Sequence, residues 1–446
     1  MRFVWLLSLS CVLCAQTLTI HEAIEKALAQ YPATRVNEEQ IKAAAAGINL
    51  ARLAYLPKAD AIAQVNRATR NNVYGMLLQQ QVISPISGPP FPANAGTNVF
   101  GTAVGFLLQW EPFDFGLRKA NIAVSETEKR RAEAALKKTR FEVAALTADA
   151  YLTVLAAEQA VGVAQASRAR IDTVESVVKS LVDSGLRPGL DASRTAAEKA
   201  AIDGQIIQAR QSLAIAKANL SQFVAGAKNV EAMKFLTAPT LPPASSSALH
   251  NHPAAAEQQM SIEESQMRMR ALQRTYYPKF NTQGTLYARG TGANPDFTTG
   301  GFGSGLGPNV YNWGIGFTVT FPIMDLPGLR VKREIESTRT RTEQARLEQL
   351  LRDLEAQRAR AQAQYDGAML MAANTPLQLK ATREALEQVT ARYKAGLIGI
   401  LEVADAQRAL ANAEIEDALA RLSIWRAKLA IATAEGDLSG FLAEAK

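Results

Sequence analysis

Few side chains in this sequence are equipped for chemistry. The histidines are His21, His250 and His252, and the cysteines are Cys11 and Cys14. His250 and His252 flank Asn251 in a Pro/Ser-rich link, a pattern that reads as a solvated helix start. A metal centre would need three or four ligands at characteristic spacings, and that pattern is not written here. The sequence also carries no glycine-rich phosphate loop, no paired His/Glu metal spacing and no nucleophile with a base close in sequence. It predicts neither an enzyme nor a cofactor, so function must be sought in how the elements are arranged.

The most informative element is "VYNWGIGFTVTF", residues 310–321. Tyr311, Trp313, Ile315, Phe317, Val319 and Phe321 share one parity, and Asn312, Gly314, Gly316, Thr318 and Thr320 the other. Alternate residues of a strand point to opposite faces, so this segment carries one bulky apolar face and one small or polar face. A strand at 99–111 repeats the pattern: Phe100, Val104, Phe106, Leu108 and Trp110 face one way, with Thr102 among them, and Gly101, Ala103, Gly105, Leu107 and Gln109 the other. Two earlier strands are less apolar. "KADAIAQVNRATR" sets Ala59, Ala61, Ala63 and Val65 against Asp60, Gln64 and Asn66, with Ile62 breaking the rule, and "KFNTQGTLYARG" sets Phe280, Thr282, Gly284, Leu286 and Ala288 against Asn281, Gln283, Thr285, Tyr287 and Arg289.

A soluble sandwich is the commoner home for alternating strands. Here Trp110, Tyr311 and Trp313 end the bulky faces, as at membrane–water boundaries, and the opposite faces are rich in Gly, Thr and Asn, as in a wet lumen. Four strands are too few to close a barrel, and an open sheet cannot sit in lipid, where every backbone group needs a partner. The expectation is closure by oligomerisation: three chains supply twelve strands across an outer membrane.

Around the strands the chain is written twice. "LAYLPKADA" (53–61) recurs as "RTYYPKFNT" (274–282), placing Pro57 over Pro278 and Lys58 over Lys279. "GFLLQWEPFDFGLRKA" (105–120) recurs as "GFTVTFPIMDLPGLRVK" (316–332), and "DSGLRPGLDASRTAAEKA" (183–200) as "KAGLIGILEVADAQRALA" (394–411). The predicted organisation is a leader over 1–15, a first repeat over 16–226, a linker or equatorial segment over 227–249, a second repeat over 250–436 and a tail over 437–446. The first repeat holds a helix over Ile20–Ala54, strands 57–70 and 99–111, a long helix 117–184 and a return helix 190–226. The second holds a helix over His250–Arg274, strands 278–290 and 310–321, a long helix 329–395 and a return helix 400–435. Apolar residues stepping by three and four, as at Ile171, Val174, Val178 and Leu181, support the long helices, each about 100 Å at 1.5 Å per residue.

The leader, with Arg2 before an apolar run from Phe3 to Leu13, is too short to span about 30 Å of hydrocarbon and reads as a secretory signal. Cleavage near Ala15 and lipid attachment at Cys11 both remain open. The formal charge of +7 is spread among acids along the helices, as in "RVKREIESTRTRTEQAR" (330–346), which is a solvated coiled-coil face and not a nucleic-acid stripe.

The doubled helix–strand–strand–helix unit, "YLPK/YYPK", "DFG…R" and above all "ARYKAGLIGILEVADAQRALANAE" (391–414) resemble the TolC-like outer membrane efflux protein (outer membrane factor) family over essentially the whole chain after the leader. The resemblance implies a mainly α fold with a membrane β portion. In a homotrimeric channel-tunnel each chain gives four strands to a 12-stranded barrel and long coiled-coil helices to a periplasmic α-barrel, with a girdle of small elements around its middle. It implies an exit channel in the cell outer membrane for a tripartite efflux or type I secretion system, set in outer-membrane lipid. Its partners are a periplasmic adaptor (membrane fusion) protein and an inner-membrane pump or ABC transporter, without nucleic acid.

Residue by residue, the resemblance places acidic rings of a periplasmic aperture at Glu402 and Asp405 and a latch between helical hairpins at Asp191 and Tyr393. The latch's usual basic partner falls at Ile398, with Arg187 or Arg194 as substitutes. Adaptor-docking tips fall at Gly185, Leu186, Leu190, Gly396, Leu397 and Leu401. The barrel's lipid face is Phe100, Phe106, Trp110, Tyr311, Trp313, Phe317 and Phe321. The competing expectation is a soluble periplasmic coiled-coil scaffold or an adaptor. An adaptor needs one hairpin and a separate β-rich module, where this chain has two hairpins and four evident strands.

Overall fold

The structure, a computed structural model, describes residues 18–69, 98–185, 189–225, 246–294 and 298–445. The leader with its two cysteines, most of the expected linker, the connection between the first two strands, and Leu186 and Arg187 lie outside the described residues. Two compact units emerge, one grouping 1–41, 130–261 and 343–446, the other 42–129 and 262–342. Each draws on both sequence repeats.

In the second unit four strands form one antiparallel sheet in the order β1 (Lys58–Thr69), β2 (Asn98–Trp110), β3 (Lys279–Thr291), β4 (Val310–Thr320). The register decides which side chains share a face. Ala61, Phe106, Leu286 and Trp313 lie opposite one another across the sheet, as do Ala63, Val104, Ala288 and Tyr311. The other face aligns Asp60, Leu107, Thr285 and Gly314 in one row and Ile62, Gly105, Tyr287 and Asn312 in the next. Gly105 is required there: a Cβ at that position would stand 2.4 Å from the Cβ of Tyr287.

The helices explain themselves locally. Helix α1 (Ile20–Gln30) opens on a capping box, in which Thr19 Oγ1 accepts from the Glu22 backbone N–H and the Glu22 carboxylate accepts from the Thr19 N–H. One helix was expected over Ile20–Ala54, but the structure breaks it at Tyr31 and restarts α2 at Pro32–Leu53. The residue before proline is driven to extended angles, and Tyr31 sits at φ −68°, ψ 126°. Then come α3 (Leu117–Asp183), α4 (Gly189–Ser221), α5 (Pro253–Arg274), α6 (Leu326–Lys394), α7 (Ile400–Glu435) and α8 (Ser439–Glu444). No described helix is long and apolar enough to cross a membrane.

The core of the first unit gathers Ile20, Ile24 and Ala27 of α1, Val143, Tyr151, Leu152 and Leu155 of α3, Leu220 of α4, and Leu422, Trp425 and Leu429 of α7. Tyr151 closes it by donating its hydroxyl to the Leu18 carbonyl at 2.9 Å. The described part of the stretch expected as a tail, 437–445, packs into this core. Leu438, Phe441 and Ala445 recur at helical spacing and are buried, Phe441 meets Trp425 edge-on at 6.0 Å, and the nearly buried Lys428 pairs with Glu444.

Candidate functional site

The side chains expected to meet lipid project from one face of the sheet. Phe106, Tyr311, Trp313 and Phe317 are 66, 83, 78 and 62 % exposed. Val104, Leu108, Leu286, Ile315 and Val319 are exposed beside them, and Phe321, one residue past β4, is exposed as well. Trp110 donates its indole N–H to the Tyr55 carbonyl at 3.1 Å while its ring stays accessible. Phe100 is the departure: it is half-buried, with Phe302 edge-on at 6.4 Å and the Arg67 guanidinium 5.1 Å from its ring. Arg67 is the only charged residue of that parity among the described strand residues. Leaving so much apolar area exposed to water forgoes about 1.5–3 kcal/mol per large side chain. A face of this kind asks for an apolar solvent or partner.

Where β2 hands over to α3, Asp114 and Arg118 form a nearly buried ion pair at 3.0 Å. The Asp114 carboxylate also accepts from the backbone N–H groups of Arg118 and Gly116, capping α3. Burial pushes its pKa up, but the hydrogen bonds and charge of Arg118, with the Gly116 N–H, outweigh that and hold it below the usual carboxylate value. Arg118 also donates to the Ala54 carbonyl and lies 4.6 Å from the Tyr55 ring centroid. Phe115 has a positive φ of 50°, a conformation that costs a non-glycine residue about 1–2 kcal/mol. Stacking on Tyr277 at 5.1 Å and contact with Phe113 at 4.6 Å hold it there. The cluster continues through Phe280 to Phe317 at 5.9 Å. In the sequence these phenylalanines mark only a strand end. Their convergence depends on pairing between β2, β3 and β4.

At the turn between α6 and α7, Gly396 takes a positive φ of 79°. The Gly396 N–H bonds the Tyr393 carbonyl and the Leu397 N–H the Arg392 carbonyl, a Schellman closure whose left-handed position favours glycine. Gly185 ends α3 with φ 69°. Beneath these turns Val178, Tyr393, Ile400 and Val403 form a buried cluster, with Ile398 packed against it. Tyr393 and Asp191 are brought together: the hydroxyl donates to Asp191 Oδ2 at 3.3 Å. Leu190, Leu397 and Leu401 are exposed, and Leu186 lies outside the described residues.

Glu402 and Asp405 are both exposed on the first turns of α7. Asp405 is not alone, because Arg408 bonds it at 2.9 Å and reaches Glu198 at 3.2 Å. That partner stands three residues on, at helical contact spacing. Nearby, Arg168 and then Lys199 hold the Asp172 carboxyl below its ordinary pKa by direct hydrogen bonds.

One expectation is overturned. His252 is buried, not solvated. Its Nδ1 accepts from the Ala254 N–H at 3.1 Å at the start of α5, which leaves Nε2–H to donate to the Thr433 carbonyl at 3.1 Å, with Phe141 edge-on at 5.4 Å. Burial lowers its pKa.

Three comparisons bear on this architecture. The sequence profile of the outer membrane efflux protein family matches residues 23–226 and 244–437. Among solved structures the chain resembles CusC, described for transmembrane channel formation, at 15% identity and TM-score 0.76, covering 94% of this chain and 92% of that one. It resembles the Campylobacter jejuni outer membrane channel CmeC at 15% identity and TM-score 0.75, over 96% and 89% of the two chains. It resembles the Vibrio cholerae outer membrane protein VceC at 16% identity and TM-score 0.72, over 94% and 96%. No curated protein sequence matches the chain. The doubled sequence, the one-sided sheet, the long paired helices and a family match in two blocks agree: the chain belongs to the outer membrane efflux protein family, a family of transport proteins, and its place is the outer membrane.

Proposed function

We propose that three copies of this chain close their sheets into a twelve-stranded barrel and form the exit duct of a tripartite efflux or type I secretion system, with the helices in the periplasm. The observation that carries this reading is the sheet itself, apolar on one face and with β1 and β4 unpaired at its edges. Because the strands alternate in direction, β1 of one copy meets β4 of the next in antiparallel fashion, and the edges vanish on closure. The flanks of those edges match. Leu50, Leu53 and Leu56 lead into β1, and Ile323, Met324, Val331 and Ile335 follow β4, all of them exposed and apolar.

In the assembled duct the Glu402 carboxylates form an acidic ring at the periplasmic aperture, flanked by Asp405 groups that Arg408 partly offsets. The Tyr393–Asp191 bond ties the two hairpin turns of each chain, with Ile398 contributing apolar packing at the position that the family resemblance gives to a basic residue. Leu190, Leu397 and Leu401 offer apolar contact to a periplasmic adaptor protein, which links the duct to an inner-membrane pump or ABC transporter. The test is reconstitution: purified protein should migrate as a trimer in unheated detergent and conduct ions in planar bilayers. A water-soluble single copy that never conducts overturns the reading. Within it, Glu402→Ala with Asp405→Ala should raise conductance or shift cation preference, and unchanged values of both would remove the acidic ring.

A further inference from the structure

Lys58 and Lys279 occupy the same place in the two sequence repeats, each directly after the proline that stops a helix and each the first residue of a strand. The register fixes which way they face. Lys58 aligns through Gln109 with Gln283 and Gly316, and Lys279 aligns with Thr320, so both lie on the small, polar face and not among the phenylalanines and tryptophans. Both are exposed, and neither makes an ion pair among the described residues. The same face carries Arg289 and one acid, Asp60. The repeat does not copy that acid, because the position equivalent to Asp60 is Asn281. Among the described strand residues the polar face therefore carries three positive groups against one negative, with Arg289 toward the other end of β3 and Glu111 one residue past β2 at the lysine end.

The two lysines stand four residues apart in hydrogen-bond register, since Lys58 aligns with Gln283 and not with Lys279. A closed barrel tilts its strands, and that tilt brings equivalent residues of successive hairpins toward one level around the axis. Resting on the trimeric channel reading above, we propose that Lys58 and Lys279 of three copies form a ring of six ammonium groups at the helix-side rim of the barrel lumen, making that rim a filter that favours anions, organic anions among the exported solutes included. Rings of like charge concentrate the opposite sign in a narrow water-filled passage bounded by low-dielectric walls. The duct then carries opposite preferences at two stations, acidic at the Glu402 aperture and basic at the lysine rim.

The experiment is the reversal potential of single channels in planar bilayers under a KCl gradient. It compares the unaltered protein with Lys58→Glu/Lys279→Glu and with the milder Lys58→Gln/Lys279→Gln, each first checked for trimer formation. The cation-to-anion permeability ratio should rise several-fold in the glutamate pair and by a smaller factor in the glutamine pair, which keeps a polar side chain but removes the charge. Conducting variants whose ratio equals that of the unaltered channel overturn the ring while leaving the channel reading in place. Absence of conductance from the unaltered protein overturns the channel reading and the ring with it.

Discussion

On β4, Tyr311 and Trp313 stand exposed, whereas at the helical turn Tyr393, an aromatic of similar size, is 2 % exposed and hydrogen-bonded to Asp191. The surroundings of the charges differ in the same sense. Among the described strand residues the bulky face holds a single charged side chain, Arg67, while the turn sets Glu402 and Asp405 on an exposed surface above a sealed apolar cluster. The helical turn is organised as water requires, with its aromatic inside and its carboxylates outside. The sheet inverts that order on one face and keeps it on the other. A fold that buries Tyr393 so thoroughly is able to hide aromatics, so the exposed ladder from Phe106 to Trp313 reports the solvent it is meant for.

The largest effect is expected from Phe106→Arg combined with Phe317→Arg, because an arginine on a lipid-facing strand costs about 2–4 kcal/mol near the bilayer midplane. Membrane-inserted trimer, measured after outer-membrane fractionation, should be nearly lost, whereas Asn312→Arg on the opposite face should leave it largely intact. Next, Arg118→Ala strands the Asp114 carboxylate and should destabilise the strand–helix junction by about 3–5 kcal/mol in chemical unfolding. Because the Asp114 pKa is lowered in the fold, its contribution is complete above the ordinary carboxylate value and is lost as pH falls through the lowered one, and that acid sensitivity should shrink in the variant.

At the turn, Gly396→Ala forces a left-handed residue with a Cβ and should cost about 1–2 kcal/mol, read as a lower melting temperature. The smallest effect is that of Tyr393→Phe, about 0.5–1.5 kcal/mol for one hydrogen bond, with the buried ring retained. His252 gives a separate handle within the helical unit. Its lowered pKa means that its contribution to stability is full above its ordinary value of 6.5 and declines as pH falls through the lowered value. Thermal unfolding followed between neutral and mildly acidic pH should show this decline, and His252→Asn should flatten it.

What could be read from the sequence follows a physical boundary. Alternation in 310–321, the prolines after Tyr277 and Leu56, and the glycines at 185 and 396 act over a few residues, so the element order and the two sheet faces were legible. Pro32 carries the same kind of signal, but the continuous helical pattern on both sides masks the break before it. Burial of His252 depends on Phe141 and Thr433, which lie far away in sequence, and nothing local announces them. The seating of Phe441 on Trp425 and the Phe113–Phe115–Tyr277–Phe280 cluster are likewise products of long-range packing. The Arg408 partner of Asp405 was within reach of helical spacing, but its second contact with Glu198 was not.

The most direct test labels the two faces of the sheet. Single cysteines introduced as Phe106→Cys, Phe317→Cys, Asn312→Cys and Thr318→Cys in the membrane-reconstituted protein would carry spin labels, read against a lipid-soluble and a water-soluble relaxation agent. Labels at 106 and 317 should respond to the lipid-soluble agent and labels at 312 and 318 to the water-soluble one. Equal aqueous access at all four sites, or a protein-packed setting at 106 and 317, would contradict a lipid-facing sheet.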